Sequence, residues 1–391
     1  MRTLSNLILG FTLCFGSAFA ASNCTLLASG GDDGPSLLKA VQSCSTITIP
    51  KSTTLNIESR LNMTGVADKH IKLEGTIKFS SNITYWTQNA FYIPFQTQIT
   101  YWLLGGKRIS LNGGGTIDGS GQVWYDAFAT NSSLLRPIIL TIYKAKGVAI
   151  ENITLLNSPE WNNLVNEGED ILYRHINISS LSTSVNPAKN TDGWDTYRST
   201  NVSILDSVIV NDDDCVSLKP NSTKIRVENL DCTGSHGISV GSLGQYAGEY
   251  DIVEDVIARN VKMSNAQNGA RIKAWAGPNV GSGIVKNIRF ENFIESAVQN
   301  PVVIDQCYMT NATLCAQYPS NTYIEDVLFT NITGTGTESV VASLSCSPDG
   351  RCSNITVSNL HLTYPSGSAQ YSCQNVNVTG NAASLFSCTS T

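Results

Sequence analysis

The chain of 391 residues carries a formal net charge of −6, and only 14% of its residues are charged, well below the usual quarter. This composition, with 31 glycines, is typical of turn-rich β proteins rather than helical ones. The acidic balance argues against nucleic acid as a partner, and an acidic ligand requires a local cationic pocket.

Residues 1–20 have the pattern of a secretory signal peptide. Arg2 supplies the positive charge, Leu7 to Phe15 form the apolar stretch, and Ala18-Phe19-Ala20 provides the cleavage site. No later run approaches the ~20 apolar residues of a membrane span. Removing Arg2 reduces the 25 cations to 24 against 31 anions, a net charge of −7. We therefore expect a secreted, extracellular monomer with no membrane partner, in which residues 21–391 form one domain.

Ten cysteines remain after removal of this segment. An even number in an oxidising compartment predicts complete pairing, and the absence of Cys-x-x-Cys argues against a zinc site. Sequential pairing closes short local loops, although the sequence alone leaves other connectivities open. The predicted disulfides are Cys24–Cys44, Cys215–Cys232, Cys307–Cys315, Cys346–Cys352 and Cys373–Cys388.

Twelve Asn-x-Ser/Thr sequons are typical of a secreted eukaryotic glycoprotein. Any sequon that faces the core is expected to stay unmodified. The sequons begin at Asn23, Asn62, Asn82, Asn131, Asn152, Asn177, Asn201, Asn221, Asn311, Asn331, Asn354 and Asn377.

The first part of the mature chain contains one predicted helix and two predicted strands. We expect the helix, Pro35 to Cys44, to cap the open end of an elongated β stack and to cover its unpaired edge. Ile47 to Pro50 and Ile71 to Ile77 then alternate with period two, as half-buried strands do.

From the middle of the chain onward, the pattern apolar-x-apolar-x-Asn-apolar recurs at intervals of about 22 to 39 residues, which match solenoid coils. The apolar side chains are expected to point into a shared interior. The Asn is expected where strand becomes turn, hydrogen-bonded to the backbone or to the Asn of the next coil. These features predict an all-β fold, a right-handed parallel β-helix with a short N-terminal capping helix. The repeat asparagines are Asn152, Asn229, Asn260, Asn292, Asn331 and Asn359.

A β-sandwich of short strands is the alternative fold. Its hairpins need two-residue Asn-Gly or Gly-Gly turns, which are sparse in this sequence. No run of ten or more residues in the repeat region keeps a period of 3.6, which argues against a helical fold. We therefore favour the β-helix.

Three adjacent aspartates, Asp212, Asp213 and Asp214, form the sharpest chemical feature. A solvated acidic turn is the commonest structure for such a run, but the apolar residues 208–210 precede this one, and Val216 and Leu218 follow it. Carboxylates between apolar strands repel one another and lose hydration, which raises at least one pKa and usually marks a used proton. Because extended neighbours point to opposite faces, Asp213 and Asp214 share a cleft only at a bulge or strand end.

Further polar residues follow on neighbouring coils. Asp192 arrives one coil earlier in Asn-Thr-Asp-Gly, which also makes an ordinary turn, and His236 arrives one coil later between glycines. Arg271 and Lys273 stand at i and i+2 on a predicted strand and project from one face. Alone they fit a solvated edge, but opposite a carboxylate cluster they indicate a clamp for a carboxylate-bearing ligand.

The order Asn-Thr-Asp, Asp-Asp-Cys, Gly-x-His-Gly and Arg-Ile-Lys resembles glycoside hydrolase family 28, the polygalacturonases and their relatives. Within that family, residues 190–195 and 234–244 are more similar to exopolygalacturonases than to endo-acting members. Endo-acting members usually have Gly-Gly-His-Gly-Leu-Ser, and a Gln where Asp212 stands.

The resemblance implies an inverting hydrolysis of α-1,4 bonds that releases galacturonate from the non-reducing end of polygalacturonate. Asp213 is implied as the general acid, and Asp192 and Asp214 as the residues that hold and deprotonate water. His236 is implied to tune the acid. An inverting pair of carboxyl groups is expected roughly 6.5–9.5 Å apart.

The resemblance also implies the substrate contacts. Arg271 and Lys273 are implied to bind the galacturonate carboxylate, Tyr308 matches a substrate-contacting tyrosine of the family, and Asn190 is a further candidate for substrate binding. Neither a metal nor an organic cofactor is implied, and the partner is a pectic polysaccharide.

Other functions remain open at this point. A pectate-lyase-like β-eliminase uses an Asp cluster to bind Ca²⁺, with Arg271 as the base. A non-catalytic, wall-binding β-helix has no use for desolvated aspartates opposite two cations. Rhamnogalacturonan and xylogalacturonan are alternative substrates that composition does not separate from polygalacturonate.

Exo-cleavage requires a groove that is blocked at one end beyond the catalytic residues. Two segments are candidates for this wall. One is the aromatic segment from Tyr85 to Trp102, for which ordinary core packing is the alternative explanation. The other is the loop from Cys307 to Cys315, which a disulfide stiffens.

Overall fold

Parallel strands stacked in successive coils make up most of the structure. The computed structural model describes residues 22–390. Almost every strand pairs in parallel with the equivalent strand one coil earlier and one coil later. The prediction of a parallel β-helix is therefore confirmed. The predicted signal peptide, residues 1–20, lies outside the described residues.

One face of the β-helix is a ladder of long, bent strands, here called the long ladder. Its members pair from the amino-terminal coil to the carboxy-terminal coil without interruption. They are Asn23–Thr25, Thr46–Ile49, Leu61–Leu73, Trp102–Asn112, Lys146–Leu156, Glu169–Ser179, Thr200–Val210, Ser222–Thr233, Tyr250–Ser264, Ser282–Val298, Asn321–Gly336, Cys352–Thr363 and Val378–Thr379.

A second ladder of mostly shorter strands, here called the short ladder, forms another face. It begins against the amino-terminal part of strand Trp102–Asn112. Its members are Leu140–Tyr143, Asn163–Asn166, Trp194–Tyr197, Val216–Leu218, Ile238–Leu243, Asn268–Trp275, Asn300–Tyr308, Val340–Ser345, Gln370–Gln374 and Ser387–Thr389.

Two smaller strand groups complete the first coils. Strands Thr54–Ile57, Thr76–Phe79 and Thr116–Asp118 pair in parallel and join the end of Lys146–Leu156. A separate three-stranded sheet contains Phe91–Ile93, Gln98–Thr100 and Pro137–Ile138.

The interior is filled by side chains that stack in register from coil to coil. Val227, Ala258, Phe290, Phe329 and Val357 occupy equivalent positions on successive strands and are fully buried. Burying each large side chain contributes about 1.5–3 kcal/mol. The apolar positions of the sequence repeat therefore form one continuous core, as predicted.

The repeat asparagines bend the long strands. All six adopt a left-handed conformation with φ between 50° and 58°, which Asn tolerates better than most residues. From Asn260 onward, each amide donates to the Asn of the preceding coil at 2.8–3.0 Å, which forms an exposed asparagine ladder. Asn stacking is therefore confirmed, although the bend lies inside a strand rather than at its end.

Short helices interrupt the coils at four places: α1 Gly34–Ser43, α2 Ile83–Asn89, α3 Gln122–Thr130 and α4 Ala312–Gln317. Two 3₁₀ turns, Phe95–Thr97 and Ala383–Leu385, are shorter still. Helix α1 buries Leu37, Ala40 and Val41 against the first coils, as predicted for the cap. Among residues 22–390, no helix is long and apolar enough to span a membrane.

The predicted strands are shifted or divided by local geometry. Ile47 to Pro50 becomes Thr46–Ile49. The run from Ile71 to Ile77 is divided at Gly75, where a Cβ atom would lie 2.3 Å from two carbonyl oxygens of the neighbouring coil. The corner therefore requires glycine.

The ten cysteines pair sequentially in five disulfides, as predicted. Eleven of the twelve sequon asparagines are exposed, and Asn221 is half-buried. None of the sequon asparagines is fully buried, so none of them is expected to stay unmodified because it faces the core.

Candidate active site

The candidate site lies where the short ladder begins on three successive coils. Asp192 precedes strand Trp194–Tyr197, Asp213 and Asp214 precede Val216–Leu218, and His236 precedes Ile238–Leu243. Since equivalent positions of parallel strands stack at ~4.8 Å, these side chains meet. The structure therefore brings the residues of three separate motifs together at the expected strand ends.

A buried Asn holds the turn that carries the two adjacent aspartates. The Nδ2 of Asn211 donates to the carbonyl oxygens of Asp213 and Asp214, each at 3.0 Å, and to that of Thr191 at 2.9 Å. These bonds tie the turn to the preceding coil. Asp213 and Asp214 consequently share one cleft, while Asp212 lies outside their cluster.

The three carboxylates of Asp192, Asp213 and Asp214 are close together. One oxygen from each lies within 4.8 Å of the others. Asp192 and Asp214 are buried, and Asp213 is the most open, with 19% of its side chain exposed. These oxygens are closer than the predicted 6.5–9.5 Å, because Asp192 and Asp214 occupy stacked positions of adjacent coils and Asp213 adjoins Asp214 in the same turn.

Asp214 is held by two cations. Arg271 Nη2 lies 2.6 Å from Oδ1, and Lys273 Nζ lies 2.7 Å from Oδ2. Both cations project from strand Asn268–Trp275 on the same side, as predicted from their i, i+2 spacing. A metal ion at the carboxylate cluster would compete with these two cations for the oxygens of Asp214.

Asp213 has a different set of partners. His236 Nδ1 lies 3.1 Å from its Oδ1, and Asn190 Nδ2 donates to its Oδ2 at 3.2 Å. Arg136, which is buried, donates to Asn190 Oδ1 at 2.8 Å and so fixes the orientation of that amide. Arg136 belongs to no motif, and the sequence offered no signal for its position.

Burial and charge separate the pKa values of the three carboxyl groups. Burial, together with the nearby Asp195 and Asp213, raises the pKa of Asp192 well above its usual value. Burial would also raise the pKa of Asp213, but the hydrogen bond from His236 lowers it. For Asp214, the charges of Lys273 and Arg271 outweigh burial and lower the pKa.

The same interactions act on His236. Burial opposes its protonation, but the hydrogen bond to Asp213 and the charges of Asp213 and Asp214 raise its pKa. Within the cluster, Asp192 therefore holds a proton more firmly than Asp213, and the contact with Asp213 favours the charged form of His236. The raised pKa predicted among the three adjacent aspartates is found at Asp212, where burial causes it, whereas the contact with His236 lowers the pKa of Asp213.

A second buried ion pair adjoins the cluster and was missed from the sequence. Lys219 Nζ lies 3.1 Å from Asp195 Oδ1 and 5.1 Å from the centre of the Trp161 ring. Burial raises the pKa of Asp195 to about 7 despite the opposing charge of Lys219. The sequence did contain a signal for Lys219. Residues Val216-Ser217-Leu218-Lys219 alternate with period two in the same way as Ala270-Arg271-Ile272-Lys273.

Tyr308 lies on the far side of the two clamp cations. Its ring is 5.2 Å from Lys273 Nζ and packs edge-to-face on Trp275, with centroids 5.7 Å apart. The Cys307–Cys315 disulfide encloses this residue and helix α4. Tyr308 therefore lies beside the clamp cations, and its contact with substrate stays a prediction.

The opposite end of the cleft is covered by residues 91–100, here called the aromatic insert. The Phe95 ring stacks on that of Tyr197, with centroids 3.8 Å apart, and Gln96 donates to the Gln245 side chain at 2.9 Å. The insert thus bridges from the coil of Asp192 to a loop one coil beyond Lys219. The remainder of the predicted aromatic segment, including Trp86 and Tyr101, is ordinary core.

The chain is similar to known proteins along most of its length. The family model "Glycosyl hydrolases family 28" matches residues 40–388. An exopolygalacturonase of Cochliobolus carbonum is 44% identical over 371 residues, which cover 90% of this chain and 83% of that protein. Exopolygalacturonase X-1 of Emericella nidulans is 44% identical over 367 residues, covering 89% and 84%.

A solved structure is similar to this chain over almost its whole length. Endo-xylogalacturonan hydrolase from Aspergillus tubingensis superposes with a TM-score of 0.86 and 32% sequence identity, covering 95% of this chain and 99% of that one. The lyase and the non-catalytic β-helix considered from the sequence are therefore excluded. With its motifs on consecutive coils and a match along most of its length, the chain belongs to glycoside hydrolase family 28.

Proposed function

We propose that the protein is a secreted exo-acting pectin hydrolase that removes single galacturonate residues from the non-reducing end of polygalacturonate. The substrate class and the exo mode follow the names of its 44%-identical relatives. One observation in the chain itself carries the exo mode. The aromatic insert closes the groove at Tyr197, on the same coil as Asp192.

We infer that this wall leaves space for one terminal sugar. Asp192 and Tyr197 flank a single strand of the short ladder, and Phe95 covers the outer side of Tyr197. A polymer that extended past Asp192 in this direction would meet the insert. Of the two predicted walls, we therefore assign the role to residues 91–100, and the loop at Tyr308 to the side where the polymer leaves.

Asp213 is proposed as the general acid, because it is the most open carboxyl group of the cluster. It donates a proton to the glycosidic oxygen as the C1–O bond breaks. The reactive form needs the proton on Asp213 and a charge on Asp192. This is the same number of protons as in the free site, moved between two carboxyls whose oxygens lie within 4.8 Å.

Asp192 and Asp214 are proposed to hold the attacking water, whose oxygen bonds to C1 while one of its protons passes to a carboxylate. Asp214 is a poor nucleophile because Arg271 and Lys273 occupy both its oxygens. Direct attack by a carboxylate is thereby disfavoured, which supports a single displacement with inversion. His236 sets the proton affinity of Asp213 through their contact.

Four residues are proposed to bind the substrate. Arg271 and Lys273 have donors beyond those used by Asp214 and can receive the carboxylate of the sugar after the cleaved bond. Tyr308 lines the same position. Asn190 links the substrate side of Asp213 to Arg136. The roles of these side chains require no metal or organic cofactor.

Secretion and glycosylation belong to the same proposal. Five disulfides fit an oxidising compartment, and eleven exposed sequons are accessible to modification. We propose a signal peptide at residues 1–20, a single catalytic β-helix over 21–391, and a monomer that has no nucleic-acid or membrane partner.

The experiment follows the products of polygalacturonate digestion with time. We expect galacturonate monomer as the first product, a slow fall in viscosity, and β-configured galacturonate in the earliest proton NMR spectra because inversion changes the α-linkage. Rapid loss of viscosity with intermediate oligomers would contradict the exo mode. An initial α-anomer would contradict inversion.

Xylogalacturonan hydrolysis is the second candidate, favoured by the superposition on the Aspergillus tubingensis enzyme. A parallel digestion of xylogalacturonan and rhamnogalacturonan oligomers decides between the substrates. A higher kcat/KM on either of these than on polygalacturonate would replace the proposed substrate while leaving the hydrolytic chemistry in place.

A further inference from the structure

Lys219 is a third cation of the active site for which the mechanism above has no use. It directly follows strand Val216–Leu218 and is only 6% exposed. Its ammonium contacts Asp195 at 3.1 Å and lies beside the Trp161 ring. Placing a lysine here costs hydration energy, so its charge needs a compensating anion.

The compensation from Asp195 is incomplete. Neither oxygen of Asp195 makes an aligned hydrogen bond, and within residues 22–390 no second carboxylate lies at salt-bridge distance from Lys219. An ammonium has three donors. The pKa of Asp195, raised to about 7 by burial against the charge of Lys219, means that Asp195 is largely neutral at acidic pH. Lys219 is then left with the longer-range attraction of the Asp214 carboxylate, with which it forms no salt bridge.

The strand register places Lys219 on the same row as one of the clamp cations. Leu218 pairs with Val240, and the next residue, Gly241, pairs with Lys273. Lys219 and Lys273 are therefore equivalent positions two strands apart, roughly 10 Å at the usual strand spacing. The groove consequently has two cationic positions, one beside Arg271 and one beside Asp195.

The second cationic position adjoins the wall. Thr196 pairs with Leu218, so Tyr197 and Lys219 also share a row, and Phe95 covers Tyr197. A sugar bound at Lys219 has the catalytic carboxylates on one side and the aromatic insert on the other. We infer that this position takes the last sugar of a chain.

We propose that Lys219 binds the C6 carboxylate of the non-reducing terminal galacturonate and selects a uronate at the end of the polymer. Asp195 holds the ammonium in place while the position is empty. This assignment rests on the proposed exo-hydrolysis and adds the residue that recognises the released sugar.

The test compares two trisaccharides, trigalacturonate and an analogue whose non-reducing terminal carboxyl group is reduced to a primary alcohol. For Lys219→Met we expect kcat/KM on trigalacturonate to fall about 10- to 100-fold, because a charge-assisted contact is lost. On the alcohol analogue, which lacks the carboxylate, the variant is expected to stay within about twofold of the wild type, because no such contact exists to lose. Equal losses on both substrates, or no loss on either, would overturn the proposal.

Two further variants show whether a loss of activity in Lys219→Met comes from the lost charge or from misfolding. Lys219→Arg keeps the charge and is expected to retain the preference for trigalacturonate. The double variant Lys219→Met, Asp195→Asn leaves no unpaired buried carboxylate, and its melting temperature shows whether the site still folds. It is expected to lose the preference as Lys219→Met does; a folded double variant that keeps it would overturn the assignment.

The activity of the wild-type protein distinguishes an error in the role of Lys219 from an error in the proposed exo-hydrolysis. If it cleaves trigalacturonate but the variants do not distinguish the two substrates, only the role of Lys219 is wrong. If it does not release the terminal galacturonate from trigalacturonate, the exo-hydrolysis and the assignment that rests on it are both overturned.

Discussion

The asparagine ladder and the carboxylate cluster use the same stacking geometry with opposite consequences. In the ladder, Asn260, Asn292 and Asn331 stand at equivalent positions of successive coils, and each amide donates to its neighbour. In the cluster, Asp192 and Asp214 also stand at stacked positions, with Asp213 beside Asp214, but ionised carboxylates cannot donate to one another.

The difference shows which side chains gain stability from repetition along the coils and which do not. Amides satisfy one another at the surface, so their repetition adds stability. Carboxylates at the same spacing raise one another's pKa, so the site needs His236, Arg271 and Lys273 to remain folded and charged. Catalytic chemistry is located where the repeat is replaced by unlike, mutually dependent side chains.

Asp213→Asn is expected to have the largest effect on the carboxylate cluster. The substitution removes the proposed proton donor and little volume, so we expect kcat to fall by about 10²- to 10⁴-fold while folding is unchanged. Steady-state kinetics and circular dichroism provide the measurement. Asp349→Asn, in an exposed turn, is the control and is expected to retain full activity. If Asp213→Asn kept a tenth of the wild-type kcat, Asp213 would not be the general acid.

Lys273→Ala removes one of the two cations that hold Asp214. We expect kcat/KM to fall about 10- to 100-fold, mainly through KM, because a charge-assisted substrate contact is lost. The pKa of Asp214, lowered chiefly by Lys273 against burial, should also rise, so the acidic limb of the pH profile moves upward. Lys286→Ala, an exposed lysine paired with Glu325, is the control. Unchanged kinetics for Lys273→Ala would place this strand face outside the groove.

The pH profile of the wild type reports the charges within the cluster. The raised pKa of Asp192 means that its proton is present at acidic pH and is lost as the pH rises through that value. The lowered pKa of Asp214 keeps this group ionised until strongly acidic pH. We therefore expect an optimum below about pH 6, with kcat/KM decreasing on the alkaline side. An alkaline optimum would contradict this assignment of the proton.

The asparagine ladder should respond in stability and not in activity. Asn292→Ala loses two ladder hydrogen bonds and places alanine at φ 57°, so the free energy of unfolding should fall by about 1–3 kcal/mol. Asn292→Gly loses the same bonds but tolerates the conformation, so it should be affected less. Urea unfolding measures both. Altered kcat/KM in either variant would mean that the ladder and the cluster are coupled.

Local pattern determined much of this protein. The alternating apolar residues and the repeated Asn specify the parallel β-helix, because each coil supplies the same inward positions to the next. The motifs around Asp192, Asp213, His236 and Arg271 specify the site, since equivalent strand ends must stack. Short loops also favoured the sequential disulfides, which the structure contains.

Only the tertiary structure decided the remaining features. The wall depends on a contact between Gln96 and Gln245, which are 149 residues apart and in no repeat. The Lys219–Asp195 pair and the location of the proton depend on burial and on charges from several coils, and no local pattern encodes these quantities. Stacking follows from the period of the sequence. The charge state of the site and the closure of the groove depend instead on all the residues that surround the site, which come from distant parts of the chain.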